Sequence, residues 1–291
     1  MTFNSIKKAV FPVAGLGTRF LPASKDIPKE MMPLIDRPLI HHGVDEAVAS
    51  GCSEIIFVTG TGKETIHKYF EHSVELEKHL EEQGKTELLR QITQIPELAK
   101  FHYVMQEKPL GLGHAVMCAE KFCKNDYFGL LLPDDVMVAE PTVLSQLDKV
   151  RAKYGGSVLA LEKVSREDTS RYGVADAEEI EPGVYKINAL VEKPEPENAP
   201  SNLAIIGRYI LSPAIFAHLH KLNRGKGGEY QLTDAIAGLL KEEPVYGVLY
   251  EGKRLDCGVK EGWIKATIVK SLEIPELHKV IIETLKEEGI L

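Results

Sequence analysis

Short runs of apolar, β-branched and aromatic residues recur along the first half of the chain, each separated from the next by a longer segment with helical spacing. This alternation constrains the fold more than any other feature. Residues 8–14, 54–59, 101–106, 128–132 and 157–163 read as strands of a length suited to burial on both faces. Residues 39–49, 63–80, 114–121 and 141–154 read as helices, with Asp36 and Pro38 as start signals for the first. Strand alternating with helix predicts an α/β fold: a Rossmann-like, doubly wound, mostly parallel sheet with helices on both faces. After about residue 165 the alternation stops. Residues 184–193 and 203–211 read as strands around a Pro-rich turn with no helix between them, so a smaller antiparallel element is expected and the sheet as a whole is mixed. Residues 263–285 carry helical spacing interrupted at Pro275, a tail suited to packing or to contact between copies.

A chain of 291 residues allows about two domains on length alone. No internal repeat or low-complexity linker divides this one, so a single domain over residues 1–291 is expected. Its first half would be about 1–164, a second half about 165–262, and the helical tail about 263–291.

With 44% hydrophobic and 27% charged residues, the composition is that of a globular protein with a sizeable core. The formal net charge of -8 argues against broad nucleic-acid binding, so a phosphate ligand would need a local cluster of cations. The four cysteines show no CxxC or zinc-ribbon spacing and read as free thiols in a reducing cytoplasm. The start, MTFNSIKKAVFPVAGLG, imitates a leader peptide, but its apolar run breaks at Pro12 and at the glycines. No stretch reaches the roughly 18 apolar residues of a membrane helix. A cytoplasmic protein without membrane or nucleic-acid partners is expected.

Several motifs fail on inspection. Gly60-Thr61-Gly62-Lys63 resembles a Walker A loop, but Phe57 and Glu64 occupy the positions that need Gly and Ser or Thr. The loop from Gly15 to Phe20 fails the dinucleotide fingerprint, and Asp36 is better read as a helix cap. His41 and His42 have no partner at ligand spacing and read as structural.

Other elements converge. The first strand delivers Gly15-Leu16-Gly17-Thr18-Arg19, and in a doubly wound sheet ligands bind beyond the carboxyl ends of the strands. Gly15 and Gly17 let backbone N–H groups approach phosphate oxygens, while Arg19 offers a planar fork of donors to a departing pyrophosphate. Pro28 and Pro33 stiffen a segment carrying Lys29, a second cation for the α-phosphate. At the end of the fourth strand, Leu132-Pro133-Asp134-Asp135 places two carboxylates where a helix cap is the alternative reading of Asp134. Hard oxygen ligands suit Mg²⁺, which takes one or two carboxylates plus substrate phosphates and waters, and Asp256 could complete such a site.

Taken together, the segments Gly15-Leu16-Gly17-Thr18-Arg19-Phe20-Leu21-Pro22, Pro28-Lys29-Glu30-Met31, Gln106 to Ala115, Leu132-Pro133-Asp134-Asp135, Val191-Glu192-Lys193-Pro194 and Asp256-Cys257-Gly258 resemble the bacterial UTP–glucose-1-phosphate uridylyltransferases, a group of the sugar-nucleotide pyrophosphorylases. The resemblance covers nearly the whole chain. It implies that Ala14, Gly15, Gln106 and Gly111 hold uracil, with Glu30 nearby. Gln106 suits this because an amide can both donate and accept. It further implies Gly173 and Glu192 on the glucose hydroxyls, Lys193 on the sugar phosphate, and Asp134 and Asp256 as Mg²⁺ ligands. The implied substrates are UTP and glucose 1-phosphate, the products UDP-glucose and pyrophosphate, and the implied assembly a homodimer or homotetramer. Ser24 and Asp26 replace the usual Thr and Ala, and Val174-Ala175 follows Tyr172-Gly173, which touches sugar selectivity rather than reaction class. A thymidylyltransferase with the same chemistry, a metal-dependent glycosyltransferase and a non-catalytic nucleotide-sensing module are the alternatives. The last could afford to lose Arg19, Lys29, Asp134 or Asp256, and all four are present.

Overall fold

The computed structural model describes residues 5–291, so the first four residues of the leader-like start lie outside the described residues. Strand β1 (Lys8–Pro12) is apolar because it runs through the middle of the molecule, with Ala9, Val10 and Phe11 fully buried. A two-residue ribbon, β2 (Pro33–Leu34) and β3 (Arg37–Pro38), leads into α1 (Leu39–Ala49). Asp36 sits in the turn of that ribbon and caps nothing; the N-cap is Pro38, without a side-chain cap. Next comes β4 (Glu54–Thr59).

The helix expected over 63–80 is instead two, α2 (Glu64–Tyr69) and α3 (Val74–Glu82). Phe70 forces the break. Its ring is buried against Phe57 and Phe101, with centroids 4.9 and 4.7 Å away, and the chain turns there. Glu77 then accepts from the Ser73 N–H at 2.9 Å and starts the second helix. Helix α4 (Thr86–Thr93) leads to β5 (Lys100–Met105), α5 (Leu112–Cys118) and α6 (Glu120–Cys123), and these to β6 (Phe128–Leu131).

The acidic pair then opens not a helix but a strand, β7 (Asp135–Val138), which removes the cap reading of Asp134. Helix α7 (Val143–Tyr154) is capped by Thr142, whose side chain accepts from Ser145 N, and precedes β8 (Ser157–Lys163). The second half adds β9 (Gly173–Glu181), β10 (Val184–Glu192), β11 (Leu203–Leu211), α8 (Ile215–Leu219), α9 (Leu232–Leu239), β12 (Val245–Leu249) and β13 (Lys253–Asp256). The tail is α10 (Lys260–Leu272) and α11 (Pro275–Glu287), broken where Pro275 takes the first turn of the second helix.

Nine strands form one sheet in the order β5-β4-β1-β6-β11-β8-β12-β10-β9, continuous through both halves of the chain. The first four are parallel, β11 is antiparallel to both its neighbours β6 and β8, and β9 and β10 form an antiparallel hairpin at the far edge. The sheet is therefore mixed, with apolar clusters on both faces. From β1 the chain winds outward to β4 and β5 on one side and returns to β6 on the other, so β1 and β6 flank a topological switch point. Ligands of doubly wound sheets bind beyond the carboxyl ends there.

Candidate active site

Four strand ends converge on that point. β1 runs into Ala14 to Arg19, β4 into Lys63, β5 into Gln106, and β6 into Asp134. Gly17 has φ +65°, a backbone region that L side chains rarely adopt, and Ser24 Oγ donates to its carbonyl at 2.7 Å. The tight loop delivers Arg19 to the surface, where it makes no ion pair or hydrogen bond with a described residue. Lys29 approaches from a short 3₁₀ turn after Pro28, and its Nζ lies 2.6 Å from Asp134 Oδ2. Burial works against the charge of both groups. Their mutual attraction prevails, holding Lys29 above the ordinary lysine value and Asp134 below the usual carboxylate range.

A cavity of about 570 Å³ is lined by Ala14, Gly15, Gly17, Arg19, Lys29, Glu30, Gln106, Gly111 and Asp134, together with Glu229 and Gly258. Every residue expected around the nucleotide thus borders one space. Glu30 is buried and accepts from Lys63 Nζ at 2.8 Å, a pair that nothing local in the sequence announces. The Gly111 and Gly113 backbone packs tightly under the loop at Tyr230. A side chain on Gly113 would meet Tyr230 O at 2.7 Å, and Gly113 N–H donates to the same oxygen at 2.9 Å.

A second cavity, about 600 Å³, contains Arg171, Tyr172, Lys193, Arg254 and Asp256, and shares Arg19, Leu132, Asp134 and Gly258 with the first. The expected sugar-side residues gather beside it. Gly173 and Glu192 are register partners in the β9–β10 hairpin. Glu192 Oε2 accepts from Thr233 Oγ1 at 2.7 Å, and Oε1 lies 3.2 Å from Lys193 Nζ. Lys193 has φ +45°, a strained conformation for a residue with a side chain and of the kind stored at ligand sites, of order 1–3 kcal/mol.

Asp134 and Asp256 are far apart in sequence and are brought together by the ribbon of β7 and β13. Asp256 pairs with Asp135 in that ribbon, and Cys257 N–H donates to Asp134 O at 2.7 Å. Gly258 N–H holds Asp256 Oδ1 at 2.9 Å. A Cβ on Gly258 would stand 3.1 Å from both Asp134 Oδ2 and Asp256 Oδ1, so the two oxygens lie no more than 6.2 Å apart across a gap that only glycine leaves open. Two carboxylates face one gap beside Lys29 and Arg254, and carboxylate oxygens are donors of the kind that suit a divalent cation whose remaining ligands come from substrate and water.

Several functional-looking groups escaped the sequence reading. Arg254 Nε donates to Asp135 Oδ1 at 2.6 Å, and its Nη1 to Glu162 Oε2 at 3.1 Å and Tyr172 OH at 3.4 Å. Two positions before Asp256 on the same strand, it shares that residue's face, and this spacing was a usable signal. Burial raises the Asp135 carboxyl; Arg254 opposes the shift, Asp134 reinforces it, and the carboxyl stays above the usual range. Arg171 Nη2 lies 3.7 Å from Asp256 Oδ2. Arg208, fully buried, donates to Glu46 and to the carbonyls of Leu132, Gly207 and Asp135. His41 and His42 are structural as expected: His41 Nδ1 is 2.7 Å from Tyr69 OH, and burial lowers His42.

Residues 8–268 match the nucleotidyl transferase family model. A UTP–glucose-1-phosphate uridylyltransferase of Bacillus subtilis is 46% identical over 284 residues, 98% of this chain and 96% of its own length. A UTP-bound UDP-glucose pyrophosphorylase from Acinetobacter baumannii superposes with a TM-score of 0.88 at 41% identity, covering 97% of this chain and 99% of its own. A UDP-glucose pyrophosphorylase complexed with UDP-glucose gives 0.84 at 43% identity, over 92% of this chain and 99% of its own. The fold, the converging strand ends and these likenesses agree: the chain belongs to the nucleotidyl transferase family and, within it, to the UTP–glucose-1-phosphate uridylyltransferases.

Proposed function

We propose that the protein makes UDP-glucose and pyrophosphate from UTP and glucose 1-phosphate by Mg²⁺-dependent in-line displacement at the α-phosphorus. The observation that carries this reading is the seam between the two cavities. Two substrates can lie on either side of Arg19, Leu132, Asp134 and Gly258 with their phosphates meeting there. Ala14, Gly15, Gln106 and Gly111 border the base, with Glu30 nearby, and Gly17 lies along the phosphates. Gly173 and Glu192 orient the glucose hydroxyls, and Lys193 holds the attacking phosphate oxygen, which is already anionic and needs no general base. Lys29 steadies the α-phosphate and Arg19 takes the charge that builds on departing pyrophosphate. Asp134 and Asp256 would hold Mg²⁺, which when bound neutralises phosphate charge. Positioning two reactants in one site supplies much of the acceleration.

Pyrophosphate release from a panel of triphosphates and sugar 1-phosphates, with and without Mg²⁺, tests the reading. Release should be greatest with UTP and glucose 1-phosphate and absent without divalent metal. No release from any pair would favour a sensing module instead. Significant release with dTTP would favour the thymidylyltransferase alternative, which has a specific opening: an amide facing the base does not by itself separate uracil from thymine.

Four free cysteines support a cytoplasmic setting, and no described helix is long and apolar enough to cross a membrane. The tail supports assembly into a homodimer or homotetramer, because Ile264, Ile268, Leu272 and Val280 expose apolar surface.

A further inference from the structure

Gln106 is buried, and the polar contacts of its side chain all fall on one end. Nε2 donates to Gly111 O at 3.2 Å and lies 2.9 Å from His114 Nδ1. A backbone carbonyl can only accept, so the Gly111 contact identifies this end of the amide as the NH₂ group. With an NH₂ group facing it, His114 Nδ1 must be the acceptor, and a neutral imidazole with a bare Nδ1 carries its proton on Nε2. Burial, followed by the charge of Arg224, lowers the pKa of His114, consistent with that neutral form. The Tyr230 ring lies at a centroid distance of 6.1 Å and is close to parallel with the imidazole. Both amide hydrogens are therefore engaged within the protein, whereas Oε1 receives no hydrogen bond from a described residue. In this arrangement Gln106 has an acceptor, and no spare donor, to offer a base.

We infer that His114 is a specificity-determining positioning residue: by accepting the second amide hydrogen of Gln106 it turns Oε1 toward the nucleotide cavity and makes that edge of the base site an acceptor only. The inference rests on the reading of this cavity as the uracil site. Uracil and thymine present an N3–H donor, whereas cytosine presents a lone pair at N3 and would face an acceptor with an acceptor. A site built to receive an N–H discriminates against an analogue lacking it more strongly than apolar contacts do, so UTP should exceed CTP in kcat/KM by about 10²-fold or more.

The test compares UTP with CTP as substrates for the wild type, His114→Leu, His114→Asn and Gln106→Leu, and measures binding of each nucleotide alone by calorimetry. His114→Leu removes the acceptor and releases one amide hydrogen. The UTP-to-CTP ratio should fall about tenfold or more, through KM and binding rather than kcat, in line with loss of a base contact. His114→Asn offers an oxygen close to the position of Nδ1 and should restore most of the preference. If Gln106→Leu abolishes the preference while His114→Leu retains it, the role of His114 is overturned and the base site stands. If Gln106→Leu itself keeps the full preference, the base-site reading fails. Histidine ¹⁵N spectra of the wild-type protein decide the point even if a variant does not fold. A bare Nδ1 on His114 at neutral pH supports the inference, and a protonated Nδ1 overturns it.

Discussion

Glu46 and Arg208 offer the sharpest test of how the fold holds its acidic turn. Arg208 is fully buried, and its Nε and Nη2 both donate to Glu46 Oε2, at 2.9 and 2.8 Å. Its other donors reach the carbonyls of Leu132, Gly207 and Asp135 at 2.9, 3.1 and 2.7 Å, while Glu46 Oε1 accepts from Leu144 N–H at 3.1 Å. Glu46→Gln keeps the shape and an acceptor for Leu144 but leaves a buried guanidinium without its closest counter-charge. Breaking one side of a buried pair costs about 3–5 kcal/mol, a large share of the ~5–15 kcal/mol that holds a domain together. Equilibrium unfolding in urea should show that loss as a lower midpoint with an unchanged slope. Adding Arg208→Met removes the orphaned charge, and the double variant should recover about 2 kcal/mol or more relative to additivity. Turnover should not recover with it. The carbonyls of Leu132 and Asp135, which flank Asp134, lose their common anchor with that of Gly207, and misplacement of a catalytic group by even ~1 Å lowers rate steeply. A Glu46→Gln loss under about 1 kcal/mol, or strictly additive variants, would refute the reasoning.

Four further outcomes are expected. Arg19→Ala and Lys29→Ala should each lower turnover about 10² to 10³-fold in steady-state assays, and near-normal rates would remove the assigned roles. Asp134→Ala should abolish metal-dependent pyrophosphate release, which full activity would contradict. Asp134 has a folded pKa below its ordinary value, so its stabilising contribution is complete above the unfolded pKa near 3.8 and is lost as pH falls through the lower folded value. Melting temperatures measured down through that range should fall less steeply in Asp134→Asn, and an unchanged slope would count against the Lys29 pairing. Burial pushes Cys52, Cys123 and Cys257 up to about 12, so iodoacetamide at mildly alkaline pH should label the half-buried Cys118 first, as read by mass spectrometry, and all four cysteines only after unfolding.

The parallel half of the sheet was legible because its strands are buried on both faces and read as unbroken apolar runs: β1, β4 and β6 carry almost no exposed position. Strand β9 was not legible. It lies at the sheet edge and carries Asp176, Glu178, Glu179 and Glu181, so the polar face masks the strand pattern. Strand β12 hides behind Gly247, which is small because a Cβ there would meet Leu161 Cδ1 at 2.3 Å. Helix α4 buries no residue, so too little of an apolar stripe marks it. In the site, residues carried on strand ends were readable from the end of each run. Partners fixed only by tertiary folding were not: Lys63 on Glu30 and Arg208 on Glu46 are linked by no local spacing.

The cations at the seam divide by what already holds them, and that division bears on what each can contribute. Lys29 is engaged by Asp134 and Arg254 by Asp135, each at 2.6 Å, so either must share or exchange a carboxylate before it can act on a phosphate. Arg19 has no such partner among the described residues, and Lys193 is half exposed with Glu192 at 3.2 Å. An unpaired cation gives up only water when a phosphate arrives, whereas a paired one must also give up its carboxylate. On the proposed reading Arg19, which lines both cavities, meets the triphosphate and Lys193 the sugar phosphate, and both supply attraction for incoming polyanions in a protein whose net charge of -8 repels them. On the same reading Lys29 and Arg254 can act on a phosphate only when something else neutralises the carboxylates that hold them. Arg19 and Lys29 line one cavity but differ in what each must give up to meet a phosphate, water alone for Arg19 and the Asp134 carboxylate as well for Lys29, so on the proposed reading they are not interchangeable.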